Sequence, residues 1–357
     1  MSEATFQGVR IRGVAAAVPE LVRTLADDAM VFDATEVEKI SASTGVRQRH
    51  VGMTLTTADL CQAAAERLLA ESGCARESID AVIFISQTPD YRLPATSCCL
   101  QQRLGLSQQC AAFDVSLGCS GYLYGLWLAS GMISCGAIRR ALVLAGDTSL
   151  RICSPEDRSV ALLFADGGTA TIVERHDATA PSHFVLGTDG SGEPHLNIPA
   201  GGFRMRSSPE MFIRREFEGG NRRAATDLYM NGAEIFSFTL RVVPALVKKV
   251  LERAGLAAEG VDQFVFHQAN KFMLDHLIKR MKLAPEKCLL GLENYGNTSS
   301  ASIPLAMVTH LGERLRREEL SLVLAGFGVG FSWGGASLRC GPMTVPALVL
   351  VPEPLRP

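Results

Sequence analysis

The sequence predicts an α/β protein made of two similar halves that pack face to face around a pseudo-twofold axis. A buried-strand pattern occurs twice: residues 80–87 read DAVIFISQ and residues 262–268 read DQFVFHQ, each opening on Asp and closing on Gln. The run VLAG at 143–146 returns at 323–326, so the two matches lie 63 residues apart in one half (Asp80 to Val143) and 61 in the other (Asp262 to Val323). Each half also alternates helical patterns with short β-branched runs, as layered helices and sheets require. One short apolar match arises readily by chance; two in the same order at nearly the same separation do not. With 357 residues, 47% of them hydrophobic, the chain can bury a large core.

Residues 57–72 place Leu60, Ala64, Leu68 and Leu69 at helical spacing, and Gly73 is suited to end that helix. The strand at 82–85 follows. Further on, DVSLGCSGYLYG at 114–125 carries an apolar strand into small residues, and a helix is expected from about Gly121 to Ser134. The apolar strand at 169–173 gives way to a polar stretch at 174–181, which sets the boundary between an N-terminal half, 1–175, and a C-terminal half, 176–357. In the second half, 234–254 is helical with Phe238, Leu246 and Leu251 on its apolar side, and 261–266 is the next strand. Residues 199–227 are rich in Arg and Gly and fall outside the repeat; they read as a long insertion, either a functional cover or a mobile loop. The Pro-rich end, 342–357, reads as a surface tail.

Composition narrows the function. Thirty-five Lys and Arg against 37 Asp and Glu give a formal charge of −2, which exerts no global pull on nucleic acid or an anionic membrane. The first ten residues lack the apolar run of a secretory signal, and no apolar stretch reaches the roughly 18–20 residues that span a bilayer. A soluble, cytoplasmic protein without nucleic-acid partners is expected. Its ten cysteines contain no CxxC pair, so no metal site of that spacing is expected, and at least eight are expected to be small buried hydrophobes.

Cys119 stands apart because it sits at a strand-to-helix turn between Gly118 and Gly121. Free amide groups and the helix dipole at such a turn favour a thiolate, and glycines admit a substrate close to the backbone. A single cysteine between glycines is equally compatible with one more buried thiol; the repeat adds what the local pattern lacks. Cys119 lies 39 residues past Asp80 and Asn297 lies 35 past Asp262, each before a helix that leads into a VLAG strand. The two should therefore face one another at symmetry-related helix starts. His267 ends the strand at 261–266, where α/β proteins build sites, although a core histidine bonded to a carbonyl fits there too. Asn297, in NYGNTSSASIP at 294–304, also suits a plain helix cap.

Taken together, the segments around Cys119, HQAN at 267–270 and NTSSASIP at 297–304 resemble the three active-site motifs of β-ketoacyl-acyl-carrier-protein (ACP) synthase III, in that family's order. FGVGFSWG at 327–334 resembles its glycine-rich loop, and the likeness covers most of 9–340. The resemblance implies a thiolase-like, five-layered α-β-α-β-α fold and a homodimer. It implies a catalytic triad of Cys119, His267 and Asn297, with an oxyanion donor at Val329 between Gly328 and Gly330, where the family usually has Gly in place of Val. It also implies acyl-CoA or acyl-ACP and malonyl-ACP as substrates, with no tightly bound cofactor. Leu93, in a loop crossing the dimer axis, and Phe236 are the implied acyl-pocket residues. Arg158 matches a CoA-contacting Arg, whereas Lys39, Ser43 and Ala233 stand where CoA-using members have Trp, Arg and Asn. Lys271, Lys279, Arg280 and Lys282 are candidates for binding ACP, and a merely solvated helix face is the alternative. Two rival functions are acyl transfer from Cys119 without decarboxylation and a silent partner subunit. Asn297 disfavours the first, because an amide is no general base; the complete Cys, His and Asn set disfavours the second.

Overall fold

The computed structural model describes residues 1–178 and 180–354. One sheet has six strands in the order Val349–Val351, Val9–Pro19, Asp166–Arg175, Arg140–Thr148, Ala81–Ile85 and Ala111–Val115. The second large sheet has five, in the order Ser2–Phe6, Ser182–Thr188, Ser332–Cys340, Leu320–Gly328 and Gln263–Phe266.

The repeated segments pair alike. Ala81–Ile85 runs parallel to Arg140–Thr148 with Ile85 opposite Ala145, and Gln263–Phe266 runs parallel to Leu320–Gly328 with Phe266 opposite Ala325. Those two alanines belong to the two VLAG runs. The aspartate that opens each repeat pins the strand pair at its start: Asp80 accepts from the N–H groups of Arg139 and Arg140 at 2.8 and 2.9 Å, and Asp262 accepts from that of Ser321 at 2.7 Å. Ala81–Ile85 is buried along its whole length, which explains a continuous apolar run instead of an alternating one.

Helices Gly121–Ser134 and Ser302–Arg317 lie between the sheets and each packs on both. Tyr122, Leu123 and Leu126 join Ile303, Met307 and Leu311 in one buried cluster there. Thr57–Ser72 and Thr96–Arg103 cover the outer face of the six-stranded sheet. Gly232–Ala254 and Lys271–Met281 cover the outer face of the other, with Leu274, Leu277 and Ile278 clustered with Phe264 and Phe266. The result is five layers, α-β-α-β-α. Both sequence motifs that precede a central helix thus point into the middle of the molecule.

Three features differ from expectation. The Pro-rich end is no simple tail: Met343 and Val345 are buried and Val349–Val351 adds a parallel strand beside Val9–Pro19. Its last residues, 355–357, and residue 179 in the boundary stretch lie outside the described residues. The N-terminal strand Ser2–Phe6 in turn joins the sheet of the second half, so each end of the chain edges the other half's sheet. The inserted segment is also ordered locally. Arg215–Glu216 pairs with Arg222–Arg223, and Arg222 and Arg214 hold Glu156 while Arg223 holds Asp157. Charge pairing replaces the apolar periodicity that the sequence lacks there.

Candidate active site

Cys119 precedes Ser120, the N-cap of Gly121–Ser134, and is 8% exposed. The glycine-rich loop passes directly over it. A Cβ built on Gly328 would lie 2.8 Å from Cys119 Cβ and 2.9 Å from Sγ, so this approach requires glycine. The Val329 N–H and the Ser299 side chain act on the Cys119 sulfur as hydrogen-bond partners that favour its thiolate. Ser332 Oγ ties the loop down, contacting Ser120 Oγ at 2.6 Å and donating to the Val329 carbonyl at 2.7 Å. Val329 therefore presents the backbone donor that a glycine would.

Burial pushes the Cys119 thiol up to about 12, and the buried carboxylate of Asp147 pushes the same way; the hydrogen bonds just named pull it down. The helix terminus expected to favour the thiolate thus works against a larger desolvation cost. His267 is 2% exposed, and burial holds its imidazole down to about 3, so the ring is neutral near pH 7. Its Nδ1 lies 2.7 Å from Ser302 Oγ, which also accepts weakly from the Gln268 N–H at 3.4 Å. With the Ser302 hydroxyl donating to Nδ1, the ring proton sits on Nε2. Asn297 is clamped by its backbone, donating to Leu163 O at 3.0 Å and accepting from Ala165 N at 2.9 Å. Its Oδ1 accepts from Ser299 N at 2.9 Å and its Nδ2 donates to Ala269 O at 3.3 Å, so one amide hydrogen stays uncommitted.

Cys119, His267, Asn297 and Gly328 line one cavity of about 70 Å³, walled by Phe164, Met230, Ile235, Met273 and Phe327 among others. Phe236 is not in that wall. Neighbouring positions on a helix point about 100° apart, and Phe236 turns outward onto Phe272 and His276 at 5.4 and 5.5 Å while Ile235 faces the cavity. Leu93 is 81% exposed and also lies outside the wall. Arg158 pairs with Glu36 at 2.5 Å and donates to the Gly219 carbonyl of the inserted segment, so its guanidinium is already engaged. Lys271 pairs with Asp275, whereas Lys279, Arg280 and Lys282 are exposed. Lys39, Ser43 and Ala233 are exposed as well. Six cysteines are buried, including Cys119, but Cys98 and Cys135 are exposed; Cys135 caps its helix at the end of an apolar run instead of facing the core.

The sequence reading missed Asp147, Ser299, Ser302 and Ser332. One signal for Asp147 was available: it follows the first VLAG run, where the second repeat has Phe327. A charged residue closing an apolar strand run is uncommon enough to ask for a reason.

The five layers, with a cysteine, a histidine and an asparagine on one buried cavity, define a condensing enzyme of the thiolase-like class. Comparison with known proteins narrows this. The family model for 3-oxoacyl-[acyl-carrier-protein (ACP)] synthase III matches residues 113–190, and that for the C-terminal region of the same family matches 251–340. A β-ketoacyl-[acyl-carrier-protein] synthase III from Symbiobacterium thermophilum is 36% identical over 93% of this chain and 98% of its own length. The crystal structure of a 3-oxoacyl-(acyl-carrier protein) synthase from Burkholderia xenovorans LB400 is 42% identical, covers 98% of this chain and 99% of its own, and superposes with a TM-score of 0.93. That of a synthase III from Pseudomonas aeruginosa PAO1 is 32% identical with a TM-score of 0.82, covering 95% and 100%. The chain belongs to the β-ketoacyl-acyl-carrier-protein synthase III family.

Proposed function

We propose that this chain catalyses the decarboxylative condensation of an acyl group with malonyl-ACP, giving a β-ketoacyl-ACP. The observation that carries this reading is the single cavity shared by a buried thiol, a neutral imidazole and an amide with an uncommitted hydrogen. The Cys119 thiolate attacks an acyl thioester, and the donor thiol leaves. The N–H groups of Cys119 and Val329, both beside the sulfur, suit the first oxyanion. Malonyl-ACP then loses carbon dioxide, and its enolate oxygen takes hydrogen bonds from His267 Nε2 and Asn297 Nδ2. The enolate carbon attacks the acyl carbonyl and releases the Cys119 thiolate. Donors, not a charged base, are what an enolate needs, and both side chains are fixed before substrate arrives. Transfer without decarboxylation would leave these two donors without an enolate to serve.

In this reading the 1–175 half supplies the nucleophile and the 176–357 half the donors. The protein works as a soluble cytoplasmic homodimer. Leu93 and Phe203, each 81% exposed, and the half-open edge strand Ala111–Val115 supply the apolar surface for the second copy, with Leu93 closing that copy's acyl tunnel. No helix among the described residues is long and apolar enough to cross a membrane. Lys279, Arg280 and Lys282 form the exposed basic face offered to ACP. Because Arg158 is held by Glu36 and the inserted segment, acyl-ACP is the preferred donor over acyl-CoA. The test is intact-mass detection of the acyl-enzyme with matched acyl-CoA and acyl-ACP donors, followed by malonyl-ACP. Acylation of Cys119 and formation of β-ketoacyl-ACP, with higher kcat/KM from the ACP donor, are expected. Acyl transfer with no carbon dioxide release refutes the condensation; equal donors refute the carrier preference.

A further inference from the structure

We propose that Cys119 is deprotonated through the Ser299 hydroxyl into the buried carboxylate of Asp147, which stores the proton while the acyl-enzyme exists. This rests on the reading of Cys119 as the nucleophile. Asp147 sits near the end of strand Arg140–Thr148 at 1% exposure, with neutral donors around it. Its Oδ1 accepts from Ser86 Oγ at 3.1 Å, Gln87 N at 2.8 Å and Thr88 Oγ1 at 3.3 Å; its Oδ2 accepts from Ser300 N at 3.2 Å and Ser300 Oγ at 2.9 Å. The Ser299 side chain hydrogen-bonds to this carboxylate and also to Cys119. One hydroxyl therefore stands between the nucleophile and an otherwise unused acid–base group. A hydroxyl donates and accepts at once, which is what a relay needs. Ser299 holds φ at +51°, a left-handed conformation that costs a non-glycine residue energy.

Charge explains why the proton goes to Asp147. A thiolate beside an ionised Asp147 would put two negative charges in one dry site, and burial raises both groups. Moving the proton between them keeps the total charge constant. The S–H bond breaks, Ser299 Oγ takes that proton, and the Ser299 proton passes to Asp147, leaving a thiolate and a neutral acid. The thiolate then displaces the donor thiolate, which takes a proton from solvent. At the end of condensation the released Cys119 thiolate recovers the stored proton through Ser299, and Asp147 is ionised again. His267 remains a neutral donor throughout.

The test separates the half-reactions. Ser299→Gly removes the hydroxyl at a backbone conformation glycine accepts, and Asp147→Asn removes the proton acceptor with little change of shape. Single-turnover acylation should fall roughly 10²-fold in each variant, with little further loss in the double variant. Decarboxylation by variants acylated beforehand should fall at least tenfold less. A solvent-isotope proton inventory of acylation should be curved for the unsubstituted protein, with two protons in flight, and linear for Ser299→Gly. Equal losses in both half-reactions, additive losses in the double variant, or a linear inventory in the unsubstituted protein would overturn the relay; the last needs no variant. Acylation of Cys119→Ala protein would instead refute the nucleophile itself.

Discussion

The turns at Cys119 and Asn297 descend from one repeated pattern yet hold their side chains differently. Cys119 runs almost directly into its helix, two residues before Gly121, and its sulfur meets backbone N–H groups and a glycine loop close enough to exclude a Cβ. Asn297 stands five residues before Ser302–Arg317, pinned on both backbone sides to residues 163 and 165 and on both amide atoms to Ser299 and Ala269. A nucleophile needs room to change partners as its bond forms and breaks. A donor to a developing charge works best when it cannot move. One fold supplies both, because a helix start offers unpaired N–H groups whereas a bridging loop offers clamps.

Breaking the first turn should have the larger effect. Cys119→Ala protein is expected to form no acyl-enzyme while keeping its circular dichroism and Tm, as read by intact mass after incubation with donor. Breaking the second turn should leave acylation in place. His267→Ala and Asn297→Ala should each slow malonyl-ACP decarboxylation by roughly 10²–10³, measured as carbon dioxide release from protein acylated beforehand. Since His267 is neutral well below the ordinary imidazole range, that step should show no histidine inflection between about pH 5.5 and 7.5. An inflection there that disappears in His267→Ala would mean the ring changes charge during turnover.

The close approach at the first turn can be probed without touching a side chain of the triad. Gly328→Ala drives a methyl into Cys119, which should cost about 1–3 kcal/mol of stability and block acylation even where the protein folds. Acylation at the normal rate would show that the loop yields. The smallest effect is reserved for the shared scaffold. Asp80→Ala and Asp262→Ala remove equivalent strand pins, and each should cost about 1–3 kcal/mol in denaturant unfolding. Asp80 should cost more because it holds two N–H groups against one for Asp262. The reverse order would mean that the halves contribute to stability in some way other than their repeat suggests.

Much of this molecule was legible in the chain because it depends on local periodicity and on residue type. The helix at 57–72, its glycine stop and the helix at 121–134 follow from 3.6-residue spacing and small-residue breaks. The repeat marked the equivalent strands of the two halves, and the motifs around Cys119, His267 and Asn297 gave the family. Phe236 packs on Phe272 and His276 while Ile235 lines the cavity, because one step along a helix changes which neighbours a side chain meets, and helix rotation is set by packing. The strand at 349–351 escaped notice because prolines dominate its surroundings, while its partner lies more than 300 residues away in sequence. The inserted segment coheres through ion pairs to Glu156 and Asp157, which leave no periodic trace. The sequence by itself determined the alternation of helices and strands and the repeat, since each is a property of neighbours along the chain; the layer order and the three site residues were legible only through the likeness of whole motifs to the family. Only the tertiary structure decided that His267 is neutral, that Arg158 is already engaged and that Ser299 joins Cys119 to Asp147. Those depend on burial and on contacts between distant segments, and desolvation exists only once the chain has closed around a group.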